Sequence, residues 1–134
     1  MLANPTAANT ILESLNHLRV TAQIRLLAFC IMPDHWHALF FLLPGAGLSK
    51  AMESLSKFTA RRLNELRGSN GRLWQDGYYD HRCRNEREIE DMLAYIEHNP
   101  VRSGLVAVAE DWPYSSAHHS LADYLDRDWY NQMR

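Results

Sequence analysis

A chain of 134 residues with net charge −2 suits a single domain, residues 1–134, with a real hydrophobic core. Its 46% hydrophobic and 22% charged residues give the balance of a globular protein. No apolar run approaches the roughly 20 residues a membrane helix needs, and a slightly acidic total argues against a nonspecific nucleic-acid coat.

The opening Met1-Leu2-Ala3-Asn4-Pro5 lacks the basic start and apolar stretch of a secretory signal, so the expected compartment is the cytoplasm. Cys30 and Cys83 stand far apart and in no CxxC pair, which suits free thiols in a reducing compartment. The charge is unevenly spread. Six Lys or Arg face two Glu between Lys50 and Arg72, whereas Glu86 to Glu97 carries five acids and one Arg. A basic face of that kind can meet phosphate, or simply be a solvated helix surface.

From the N-terminus, Ile11, Leu12, Leu15 and Leu18 have the spacing of an amphipathic helix over Thr10 to Leu18. Ile24 to Ile31 reads as a strand, Met32-Pro33-Asp34 as a turn, and His35 to Leu43 as a second, buried strand, giving an antiparallel hairpin. Pro44-Gly45-Ala46-Gly47 breaks the chain before a second helix, whose apolar face is Leu48, Met52, Leu55, Thr59, Leu63 and Leu66. Trp74 to Arg84 is an aromatic-rich extended segment. Asn85 with Glu88 three residues on is a helix start, and Ile89, Met92, Leu93 and Ile96 form the apolar face of that third helix. Pro100 is expected to end it near Asn99, because the residue before proline is driven out of the helical region. A mixed tail follows Gly104, with a last amphipathic stretch to Arg134. The order helix, strand, strand, helix, strand, helix predicts an α+β fold, an antiparallel sheet with helices on one face.

Chemistry concentrates at Met32-Pro33-Asp34-His35-Trp36-His37. Strand side chains alternate, so His35 and His37 share a face and Trp36 points away. Two adjacent imidazoles can clamp a divalent ion. On the third helix Tyr95 and Asn99 are one turn apart and lie on one side. Two neutral imidazoles and an amide oxygen would suit Mg²⁺ or Mn²⁺, completed by water and substrate phosphate, better than a closed zinc site. Each feature also has a plain explanation: a packed histidine pair, a half-buried tyrosine, an ordinary residue before proline. An alternative trio of Cys30, His35 and His37 would bind Zn²⁺, although its spacing is not a familiar zinc pattern. Paired H-x-[ST] motifs of a phosphoesterase are absent.

The ordered set of motifs is more specific than any one of them. It runs through Met32-Pro33-Asp34-His35-Trp36-His37, Lys57 with Thr59-Ala60-Arg61, and Trp74-Gln75-Asp76-Gly77-Tyr78-Tyr79-Asp80-His81 with Arg84. Tyr95-Ile96, then Asn99-Pro100-Val101-Arg102-Ser103-Gly104-Leu105-Val106, and finally Ser115-Ser116 complete it. This pattern resembles the HUH single-tyrosine transposases, most closely the REP-associated tyrosine transposases of bacteria.

The resemblance implies a ferredoxin-like sheet of the insertion-sequence transposase type, with His35, His37 and Asn99 as metal ligands and Tyr95 as nucleophile. It implies an enzyme that cleaves and rejoins single-stranded hairpin DNA of the REP type through a 5′-phosphotyrosine, or an idle hairpin-binding relative of one. Lys57 and Arg61, four apart on one side of the second helix, are candidates to touch phosphate. Trp74, Tyr78 and Tyr79 are candidates to stack on unpaired bases or, Trp74 above all, to fill the core. Arg84 and Arg102 are further DNA-contact candidates. The setting would be a bacterial cytoplasm, at the nucleoid, away from any membrane. Nothing before Thr10 reads as the family's opening strand. The sheet is therefore expected to be N-terminally shortened, with an open edge inviting a homodimer.

Overall fold

The structure, a computed structural model, describes residues 5–33, 35–45, 47–67 and 83–133, with backbone alone at 5–6, 59–60, 62–67 and 133. Helix α1 spans Pro5–Val20, strand β1 Ile24–Ile31 and strand β2 Trp36–Leu42. Helices α2 (Leu48–Arg67), α3 (Glu86–Arg102) and α4 (Arg127–Met133) follow, with short 3₁₀ turns at Ala109–Asp111 and His119–Tyr124. The extended segment expected at Trp74 lies outside the described residues. Among the described residues, no helix is long and apolar enough to cross a membrane.

Helix α1 starts on a proline, whose missing N–H costs nothing in a first turn. Its four predicted apolar positions, Ile11, Leu12, Leu15 and Leu18, are all buried. It ends where Gln23 N–H bonds Leu18 O and Ala22 N–H bonds Arg19 O, with Ala22 in the left-handed region at φ 59.

Strands β1 and β2 pair antiparallel from Ile24↔Leu42 to Ile31↔Trp36, with a bulge between Leu26 and Ala28. The bulge sets which residues face which layer. Strict alternation would put Ile24, Leu26, Ala28 and Cys30 on one face. The extra residue, Leu27, shifts the phase, so Ile24, Leu26, Phe29 and Ile31 all turn toward α1 and α2, where they pack with Ile11, Leu15, Ala51 and Leu55. Ala28, Cys30 and Met32 turn the other way, onto Ile96, Met92 and Leu93 of α3. The result is α+β with an antiparallel sheet, as expected. The helix layer foreseen on one face is α1 with α2, and α3 covers the opposite face.

Strand β1, rather than β2, is the buried strand: only Arg25 in it is even partly exposed, whereas β2 is half-buried throughout and exposed at Leu42. The reason lies along the outer edge of β1, which the C-terminal segment closes. Ile31 N–H bonds Tyr114 O, Ser116 N–H bonds Phe29 O, and Phe29 N–H bonds Ser116 Oγ. Further along, Leu26 N–H donates to Asp126 Oδ2 and Arg127 Nε to Leu27 O. Among the described residues β2 pairs with β1 alone.

Helix α3 opens as predicted, with Asn85 Oδ1 accepting Glu88 N–H at 2.9 Å. Its end corrects the sequence reading. Pro100 lies inside the helix, which runs on to Arg102. The actual stop is Gly104 at φ 76: its N–H bonds Val101 O, and Leu105 N–H bonds Pro100 O at 2.9 Å. That paired closure satisfies the last carbonyls, and only glycine adopts its backbone without strain. Proline biases against helix, but a strong cap one turn later prevails.

Candidate active site

The register places His37 directly opposite Cys30, on the face that α3 covers. His35 sits just before β2 and is exposed. The two imidazoles meet edge to face, ring centres 4.9 Å apart and planes at 85°. Trp36 points to the opposite side and packs against the α1 core. Alternation thus brings the histidine rings together as the sequence led us to expect.

Tyr95 projects from α3 toward His37. Its ring meets that of His37 edge-on, centres 6.4 Å apart at 83°. The tyrosine is 51% exposed, open to a substrate from solvent. Asn99, one turn further, is buried at 8% exposure. The α3 face that seats Ile96 on β1 therefore also brings Tyr95, on its flank, beside His37, and buries Asn99 one turn on.

The surroundings favour a neutral His37. Burial pushes its pKa down, the neighbouring His35 ring adds to this, and the Arg102 guanidinium pushes in the same direction. A neutral imidazole has the lone pair that a metal needs, so the pair fits a divalent ion. Cys30, beneath, is a different group. Burial raises its thiol to about 12 despite a hydrogen bond with Ser115, leaving it protonated and inert. Among the described residues, no three His, Cys, Asp or Glu side chains are grouped to hold a metal, which counts against the Cys30–His35–His37 zinc trio. Both cysteines are free thiols.

The remaining candidates are scattered. Lys57 and Arg61 lie on α2, in the helix layer on the far face of the hairpin from Tyr95. Both are exposed, and Lys57 Nζ pairs with Glu53 at 2.7 Å. Trp74 and Tyr78 lie outside the described residues. Arg84 is exposed, its backbone N–H held by Glu88 Oε2. Arg102 is drawn into the site, with its guanidinium carbon 3.9 Å from the Tyr95 ring centre.

One polar group escaped the sequence reading. Glu97, on α3, accepts from Ser116 Oγ and from Arg127 and so ties the tyrosine helix to the segment that closes β1. Its partners lie 19 and 30 residues away, beyond any local periodicity. Ser115-Ser116 belonged to the ordered pattern, but nothing in it pointed to this bond.

Comparison with known proteins shows the family. The profile of the family described as "Transposase IS200 like" matches residues 2–99. A provisionally named REP-associated tyrosine transposase of Haemophilus influenzae is 34% identical over 114 residues, covering 76% of this chain and 64% of that protein. The REP-associated tyrosine transposase of Escherichia coli K12 is 31% identical over 98 residues, covering 71% of this chain and 55% of its own. The chain thus spans less than two thirds of the length of either relative. A solved REP-associated tyrosine transposase bound to a REP hairpin superposes with TM-score 0.74 at 22% identity, over 93% of this chain and 73% of that one. Fold, ordered motifs and profile agree: the chain belongs to the IS200-like transposase family.

Proposed function

We infer that the protein is a single-tyrosine DNA strand transferase acting on single-stranded hairpins of the REP type. The observation that carries this reading is the Tyr95 ring set edge-on to His37, whose ring in turn touches that of His35. The relatives' names and the hairpin-bound structural neighbour support the choice of substrate.

In this reading the Tyr95 phenol oxygen attacks a phosphodiester phosphorus. A tyrosine–phosphorus bond forms, the phosphorus–O3′ bond breaks, and the departing 3′ oxygen takes up a proton while the phenol yields one to water. The product is a 5′-phosphotyrosine and a free 3′-hydroxyl. Because one phosphodiester replaces another, the reverse attack can rejoin strands.

His35, His37 and Asn99 are the residues that would hold Mg²⁺ or Mn²⁺. Bound there, the ion would supply Lewis-acid polarisation of the phosphate and stabilise negative charge on the leaving oxygen. Since the set has no carboxylate, metal affinity would be weak until an anionic strand arrives. Exposed Lys57 and Arg61, remote from Tyr95, would grip phosphates away from the scissile bond.

The test is incubation of end-labelled single-stranded hairpin DNA with the protein and Mg²⁺ or Mn²⁺. An adduct carrying the label of the strand 3′ to the cut, absent in Tyr95→Phe and strongly reduced in His35→Ala or with chelator, is the expected result. Salt-sensitive binding without an adduct in the unmodified protein would leave a hairpin-binding domain instead.

A further inference from the structure

We propose that Arg102 is the positioning residue of this site, holding the Tyr95 ring beside His37 by gripping both ring and backbone of the same tyrosine. The inference rests on the reading of Tyr95 as nucleophile and replaces the expectation that Arg102 serves as a DNA contact.

Two observations carry it. The guanidinium carbon lies 3.9 Å from the centre of the Tyr95 ring, well within cation–π range. From the same guanidinium, the second terminal nitrogen donates to Tyr95 O at 2.6 Å. Side chains on a helix lean toward its N-terminus, and from two turns further on an arginine reaches back over residue 95.

The need for such a grip follows from exposure. A tyrosine on a helix flank with half its surface in water has several side-chain orientations available. Packing from the core does not choose among them. The His37 ring stands nearly perpendicular to the phenol ring, centres 6.4 Å apart, and the Arg102 guanidinium lies over the phenol ring. Together they fix the ring on two sides. Lysine has no planar fork to stack and donate at once, so charge alone would not replace it. An ordinary arginine at a helix C-terminus would gain from the helix dipole and the last carbonyls. This one instead bonds a carbonyl seven residues earlier.

The helix continues past Pro100 for the same purpose. Had it ended at Asn99, residue 102 would not lie two turns above Tyr95 on a common helix. The Gly104 cap that carries the helix to Arg102 therefore completes the site as well as the fold.

The experiment separates positioning from DNA binding and from folding. Single-turnover adduct formation at saturating hairpin DNA is compared for unmodified protein, Arg102→Met and Arg102→Lys, beside the dissociation constant and its salt dependence. The proposal predicts a rate lowered about tenfold or more in both variants, with affinity, salt slope and thermal midpoint unchanged. A weakened affinity with a salt slope reduced by about one, at an unchanged saturated rate, would make Arg102 a phosphate contact and overturn the proposal. An unchanged rate with unchanged binding would overturn it too.

The contact itself is read by NMR without catalysis. The Arg102 δ protons should be shifted upfield by the ring in the unmodified protein and return to ordinary values in Tyr95→Leu, and ordinary values in both would sink the inference. If the unmodified protein formed no adduct, the functional reading would fall. The spectrum would then decide alone whether Arg102 holds the ring.

Discussion

The two strands of the hairpin have opposite fates. Strand β1 is closed on both edges and both faces, by β2, the C-terminal segment, α1 and α3. Strand β2 is only half-buried and carries His37, with His35 just before it. Stability is thus concentrated in one strand and the candidate site is displayed on its neighbour. The hydrogen-bonded register between them transmits the rigidity of β1 to His37, so that a partly exposed ring stands in a fixed place.

Substitutions on the two sides should therefore separate cleanly. The largest effect is expected for Tyr95→Phe: complete loss of covalent adduct, with unfolding free energy within about 0.5 kcal/mol of the unmodified protein because the phenol is exposed. A substantial loss of stability would break the division. In the other direction, Phe29→Ala empties a fully buried site on β1 and should cost about 4 kcal/mol in urea unfolding. A cost under about 1 kcal/mol would mean that β1 is not the structural strand.

Asp126 tests the closed edge. Burial works against its charge, but hydrogen bonds from Arg19 and from the Leu26 N–H outweigh that and hold its pKa below the ordinary aspartate value. Stabilisation by Asp126 is therefore complete above the ordinary value of 3.8 and fades as pH falls through the lower folded value. Asp126→Asn should lose about 2 kcal/mol at neutral pH, since Arg19 is left partly buried without its ion partner, and the gap should narrow in acid. A pH-independent difference would contradict this account of the edge.

The smallest expected effect lies in the far helix layer. Lys57→Gln should leave stability and the saturated cleavage rate unchanged and lower the salt slope of DNA binding by about one. An unchanged slope would remove Lys57 from the DNA path.

Local chemistry explains what the sequence made legible. The face shared by His35 and His37 follows from alternation, the α3 start from Asn85 and Glu88, and the α1 core from helical spacing. Three features were not legible, each for a physical reason. The assignment of burial to β2 failed because His37-Ala38-Leu39-Phe40-Phe41 is apolar enough for a core, while the residues that bury β1 come from 112–127. The helix end was misplaced because Pro100 gives a strong local signal, and the closure at Gly104 depends on a bond to the carbonyl of Pro100 itself. The place of Arg102 depends on a side chain reaching back two turns, and Arg102 differs little from the other arginines until Tyr95 is in view.

The central claim is that Tyr95 is the nucleophile beside the histidine pair, and peptide mapping of the trapped protein–DNA adduct tests it most directly. The account predicts a nucleotide mass joined through a 5′-phosphate to the peptide containing Tyr95, and to no other tyrosine peptide. The same mass on a peptide containing Tyr78, Tyr79 or Tyr114, or a 3′-linked adduct, would contradict it.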